Sequence, residues 1–219
     1  MSAGGWDAHY RVRGRLYRGE VRLPPVSRGA RVLDIGCGDG RALDPLFRVG
    51  CSAVGLDLSR AALTLCRTQC RCTPQQLVLA DAGCLPFHDG SFDLVLMLHV
   101  IGHGYYSERS AIASEAARVT VPGGRIHLRV FSSEDLRARS GELVEEGTRL
   151  RKDGLLTHYF SEEEVIRLFP RMEAVSLETV RWPLRVRGAL MMRAEIEAVF
   201  ERSADDPIPG RDPGINHNG

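Results

Sequence analysis

No apolar run in this 219-residue chain is long enough to cross a bilayer. The longest, such as LVLMLHVI from Leu94 to Ile101, cover less than half of the roughly 20 residues that a spanning helix needs. No apolar stretch of the kind a secretion signal requires follows the N-terminus, MSAGGWDAHYRVRG, so a cytoplasmic protein without a membrane partner is expected. No internal repeat is visible. The six cysteines, Cys37, Cys51, Cys66, Cys70, Cys72 and Cys84, include three that lie close together, and with Cys84 these could be read as a metal site. Their spacing matches no standard zinc pattern and no pair of CxxC motifs exists, so free thiols and no metal are expected. Lysine is nearly absent, Lys152 standing alone among 29 basic residues. A GC-rich genome accounts for that bias. Net charge is nearly absent too, +1 at pH 7, and this near-neutrality argues against a nucleic-acid partner.

The hydrophobic share of 43% and charged share of 26% suit a single soluble globular domain with a full core. The first 31 residues are the exception, carrying Arg11, Arg13, Arg15, Arg18, Arg22, Arg28 and Arg31 against Asp7 and Glu20. Guanidinium forks suit carboxylates and phosphates, although such a lead-in also reads as a solvated face. Trp6, Tyr10 and Tyr17 interleave the arginines, and Pro24-Pro25 closes the segment.

From there the periods alternate. ARVLDIG reads as a buried strand and DGRALDPLFRVG as a helix ending near Gly50. SAVGLDL is a second strand, followed by a helix with Ser59 as its N-cap. QQLVLADA is a third strand, and FDLVLMLHV a fourth whose almost uniform apolarity predicts burial on both faces. ERSAIASEAARVT is a helix stopped by Val121-Pro122-Gly123-Gly124, a turn that leads into RIHLRVF as the fifth strand. Strands alternating with helices predict a doubly wound α/β fold with a mostly parallel sheet. Residues 133–158 are polar and punctuated by glycine, and read as an insertion or lid. SEEEVIRLF is a helix with Ser161 and Glu164 in capping-box spacing. MEAVSLETV and MRAEIEAVF, separated by a turn-rich RWPLRVRG, predict an antiparallel hairpin at one edge. Residues 203–219 read as a disordered tail.

The unusual stretch is RVLDIGCGDGRAL, where Gly36, Gly38 and Gly40 fall within five positions directly after the first strand. Glycine weakens strands and helices alike, so the cluster implies a sharp bend or a close approach. It lies where doubly wound sheets bind ligands, beyond the carboxyl ends of the strands. Asp34, Asp57 and Asp81 stand at or near three strand ends. Such a negative rim would repel a dinucleotide phosphate and accept a nucleoside carrying positive charge.

VLDIGCGDG, GLDLS, ADAGCLPFHDGSFDLVLMLHVI and EAARVTVPGG, in order from Arg31 to Phe131, resemble the successive motifs of class I S-adenosylmethionine-dependent methyltransferases, most nearly the methyltransferase type 11 group. The resemblance implies a seven-stranded Rossmann-like sheet whose C-terminal strand is antiparallel, and S-adenosyl-L-methionine as cofactor. It implies that Asp34, Gly36, Cys37 and Gly38 lie against the methionine part. Asp57 would hold the ribose hydroxyls, Leu58 would pack on the adenine, and Asp81 and Ala82 would line the adenine edge. His99 would sit near the sulfonium, facing the acceptor. Asp34 capping backbone amides is the bland alternative. Asp93 carries over as structural. Residues 1–27 would form a basic helical segment over the cofactor, with Tyr17 and Arg18 beside its carboxylate, and residues 28–202 the methyltransferase domain. A general base, if one is used, would come from His99, His103, Tyr105 or Tyr106, although His103 could merely bond a loop carbonyl.

A small-molecule acceptor is the leading expectation. Transfer to tRNA or another RNA base is the alternative that the arginines favour, and a cofactor-binding partner subunit without its own acceptor is a third. The glycines run GxGxG rather than GxGxxG, which disfavours a nicotinamide-dependent dehydrogenase. No Asn- or Asp-Pro-Pro-Tyr motif follows the fourth strand, so the usual sign of amino-methylating nucleic-acid enzymes is missing.

Overall fold

The computed structural model describes residues 3–14, 21–186 and 188–207. Helix α1 spans Ala3–Arg13. Then come β1 (Arg31–Ile35), α2 (Leu43–Val49), β2 (Ser52–Asp57), α3 (Arg60–Gln69), β3 (Leu77–Leu79) and β4 (Phe92–Leu98). Helix α4 (Tyr106–Val119) leads to β5 (Thr120–Phe131), the short strands β6 (Glu142–Glu145), β7 (Thr148–Leu150) and β8 (Leu156–His158), and α5 (Glu162–Leu168). The long hairpin β9 (Met172–Val186) and β10 (Ala189–Arg202) closes the order.

The main sheet has the strand order β3-β2-β1-β4-β5-β10-β9, and β10 alone runs against the others. This is the expected mostly parallel seven-stranded architecture with an antiparallel C-terminal strand. Strand periodicity explains its two cores, because successive side chains point to opposite faces. Leu33 and Ile35 of β1, with Val95 and Met97 of β4, join Ile112, Ala116 and Phe169 on one face. Val32, Leu94 and Leu96 join Leu43, Leu46, Leu63 and Cys66 on the other. Burial on both faces is why β4 is apolar from Leu94 to Leu98.

Local chemistry sets several boundaries. Ser59 caps α3 by accepting from the Ala62 N–H at 3.1 Å, and Ser161 caps α5 by accepting from the Glu164 N–H at 3.2 Å. Gly50 ends α2 in the left-handed conformation, φ 90°. Asp93 accepts from the Arg31 backbone N–H at 2.8 Å and from its guanidinium at 2.7 Å, tying the start of β1 to β4.

Four expectations change. Val121-Pro122-Gly123-Gly124 does not form a turn ahead of the fifth strand. It belongs to β5, whose pairing with β4 shifts register there. Arg181 to Val186 extend β9 instead of forming a turn, and Pro183 is tolerated because β9 is the sheet edge. β3 stops at Leu79, so Asp81 lies in the following turn. Residues 203–207, expected to open the tail, are held down: the Arg202 guanidinium donates to the Asp206 carboxylate at 2.8 Å and to the Pro207 carbonyl at 3.2 Å. The remainder of the expected tail lies outside the described residues.

Within the segment 133–158, β6, β7 and β8 form a separate three-stranded antiparallel sheet. Arg109, 2% exposed, joins it to the body: its Nη1 reaches the Gly104 carbonyl at 2.8 Å, Glu145 at 2.9 Å and Thr148 at 3.2 Å.

Candidate functional site

The sheet order reverses between β1 and β4, and a cleft opens there at their carboxyl ends. It encloses about 860 Å³, counting the space at its open mouth. Its floor is the glycine loop. The N–H groups of Gly36 and Cys37 both donate to the Leu56 carbonyl, at 2.7 and 3.0 Å, and the Gly38 N–H donates to Asp57 at 2.9 Å. The loop after β1 is thereby clamped to the end of β2. Gly36 and Gly38 have φ of 71° and 55°; a Cβ on Gly36 would stand 2.6 Å from Val100, and one on Gly38 2.5 Å from the Tyr10 hydroxyl. Both the bend and the close approach that the glycines imply are present.

The acids differ in their surroundings. Asp57 is buried, and its two oxygens accept the N–H groups of Gly38 and Ser59 at 2.9 and 2.8 Å. Each oxygen retains a second acceptor direction. Burial raises the Asp57 carboxyl and these hydrogen bonds oppose the rise. Asp34 is 2% exposed, lines the cleft and accepts no hydrogen bond among the described residues. The bland role of capping backbone amides is therefore not what it does. Burial, followed by the neighbouring Cys66 and Asp57, pushes its carboxyl up to about 8. A buried carboxyl without a donor suits a cleft that receives a positively charged or N–H-bearing group.

Gly36, Cys37, Gly38, Leu58, Ala82, His99 and His103 also line the cleft. Asp81 does not: it is exposed, and its carboxylate accepts the Gly83 N–H at 2.8 Å. Nor does Tyr106, which begins α4 with its side chain 60% exposed. Tyr17 and Arg18 lie outside the described residues. His99 occupies the left-handed region, φ 59°, an uncommon conformation for a residue other than glycine. It stacks on Phe131 with ring centroids 4.6 Å apart, and its Nε2 stands 3.6 Å from the Glu195 carboxylate. Burial, then Arg129, pushes its imidazole down to about 3, so it is neutral at physiological pH. His103 Nδ1 lies 2.8 Å from the Leu156 carbonyl, which can only accept, so the proton sits on Nδ1.

Trp6 and Tyr10 of α1 supply one wall, and Trp6 meets the His103 ring edge-on at 4.7 Å. Asp7 holds α1 in place by accepting from the Ser59 hydroxyl at 2.6 Å and the Ala61 N–H at 3.0 Å. Trp6 and Asp7 stand out in the sequence only as members of the basic lead-in, with no site role attached. The available signal was helical spacing, since Trp6 and Tyr10 are four residues apart and share a face.

Comparison with known proteins agrees with this architecture. The Methyltransf_11 family model, described as a methyltransferase domain, matches residues 33–128. A demethylmenaquinone methyltransferase of Tropheryma whipplei is 33% identical over 126 residues, 58% of this chain and 49% of that protein. The chain thus spans about half the length of that relative. A tRNA N(3)-methylcytidine methyltransferase of Drosophila melanogaster is 24% identical over 90% of this chain and 70% of its own length. The crystal structure of a SAM-dependent methyltransferase from Methanosarcina mazei superposes with a TM-score of 0.67 at 26% identity, covering 84% of this chain and 99% of the other.

Proposed function

Because the chain carries a class I S-adenosylmethionine-dependent methyltransferase domain, we propose that it moves a methyl group by direct displacement onto a small-molecule acceptor. The observation that carries this reading is the convergence of the glycine loop, Asp34 and Asp57 on one cleft where the strand order reverses. When bound, S-adenosylmethionine supplies a methyl group already activated on a sulfonium.

The residues fit that cofactor. Asp34 would meet the charge of its methionine part beside Gly36, Cys37 and Gly38. Asp57 would accept from the ribose hydroxyls with its remaining lone pairs, and Leu58 and Ala82 would flank the adenine. Asp81, on the rim, would need to swing from Gly83 to reach the adenine amine. The protein supplies alignment and exclusion of water, which can lower a barrier by several kcal/mol. Trp6 and Tyr10 exclude water on one side, and His103, anchored to Leu156 of the small sheet, does so on the other. His99 and His103, both neutral, would take a proton only from an acceptor that arrives protonated. Tyr106 would serve the acceptor only after a movement toward the cleft.

This enclosure suits a small acceptor better than a folded RNA. RNA is the second reading, favoured by the basic N-terminal segment and by the alignment of the Drosophila tRNA methyltransferase along 90% of the chain. Calorimetry with S-adenosylmethionine and its demethylated product tests the cofactor, and methyl labelling of small-molecule and RNA fractions tests the acceptor. Binding with labelled small molecules supports the proposal. Labelled RNA moves it to the second reading, and binding without transfer points to a partner subunit.

A further inference from the structure

Three thiols that do not line the cleft are gathered behind the glycine loop. Cys66 lies in α3, Cys70 is the residue that ends the helix, and Cys72 follows two positions later. The Cys70 N–H donates to the Cys66 carbonyl at 2.8 Å, so the final turn of α3 places both side chains on one face and the chain then folds Cys72 back against them. The Sγ atoms of Cys66 and Cys72 are 3.7 Å apart, and all three Sγ atoms lie within 4.8 Å of one another. Two thiolates held at about 2.3 Å by a tetrahedral zinc stand about 3.8 Å apart. The Cys66–Cys72 separation therefore already equals one edge of such a site, and side-chain rotation brings in Cys70.

We propose that Cys66, Cys70 and Cys72 bind one thiophilic metal ion of the zinc class. Cys66 is buried, while Cys70 and Cys72 are half-buried, so an ion has a way in from solvent. Soft thiolates select such ions over magnesium or calcium. Each thiol that coordinates releases its proton to solvent, so affinity rises with pH. The fourth position falls to water, because Cys37 lies outside the group of three. Cys37 nevertheless packs in the same core cluster as Cys66, and a Cβ on Gly40 would stand 2.5 Å from the Cys66 sulfur. An occupied site would thus stiffen the support of the glycine loop from behind, with none of its three ligands lining the cleft.

The test titrates the reduced, metal-free full-length chain with Cd²⁺, reading thiolate-to-metal charge transfer in the ultraviolet, and then with Zn²⁺ against a chromophoric chelator. One equivalent is expected to bind. Cys70→Ser and Cys72→Ser should each weaken it at least about tenfold, the double variant should abolish it, and Cys84→Ser should leave it unchanged. Zn²⁺ should raise the melting temperature of the parent chain and not that of the double variant, whose fold is checked by circular dichroism. No charge-transfer band, or a band that survives in the folded double variant, overturns the proposal. No cofactor enters the assay, so failure here is separate from failure of the methyltransferase reading.

Discussion

Asp34 is the residue at which stability and binding pull apart. Its folded value of about 8 lies above the ordinary 3.8, so between about pH 4 and pH 8 the folded chain holds a proton that the unfolded chain has lost. Stability contributed by this group therefore falls as pH rises through that window. Asp34→Asn is expected to match the parent near pH 4 and to exceed it at pH 8 by several kcal/mol, on the order of 1.4 kcal/mol per unit of pH across the window, read from urea unfolding. A cationic ligand needs the ionised form, so parental affinity for S-adenosylmethionine should climb with pH up to about 8. In Asp34→Asn it should be weak and flat. Equal pH dependence in the two proteins by calorimetry would remove Asp34 from the ligand contact.

At the scale of elements, two attachments decide how the cleft is enclosed. Helix α1 is latched through Asp7, whose carboxylate also stands at the positive N-terminal end of α3. Asp7→Ala should speed hydrogen exchange in residues 3–14 and raise the cofactor off-rate about tenfold, with little change elsewhere in the protein. The small sheet is joined through Arg109. Replacing this buried guanidinium with methionine removes the ion-pair partner of Glu145 and the 3.7 Å contact of Glu164, which keeps His158 at 2.8 Å. Arg109→Met should cost about 3 kcal/mol in denaturant unfolding, and a loss below about 1 kcal/mol would show that the small sheet is held by other contacts.

At the scale of the whole molecule, His99, His103 and His127 are all pushed down, in each case first by burial. The unfolded chain takes up protons at these groups near pH 6.5 and the folded chain does not, so their contribution to stability is lost as pH falls below about 6.5. His127, whose ring nitrogens have no hydrogen-bond partner among the described residues, isolates the effect. The melting temperature of His127→Phe should fall less steeply than the parent's between pH 6.5 and pH 5, and an identical slope would show that His127 protonates freely in the fold. Much of the architecture was legible before folding, because it is written in short-range chemistry. Period-two burial marks β1 and β4, serine caps start α3 and α5, and Gly36 and Gly38 mark a bend that other side chains cannot make without strain. Pattern also placed Asp34 and Asp57 at strand ends, since strand length alone sets that position. Only the tertiary structure decided that Asp34 has no donor, that Asp81 and Tyr106 stand away from the cleft, that Trp6 and Asp7 close over it, that a polar segment pairs as a small sheet, and that three unevenly spaced cysteines meet. These depend on which distant surfaces pack together, and periodicity along a chain reports which side of an element is buried without saying what is buried against it.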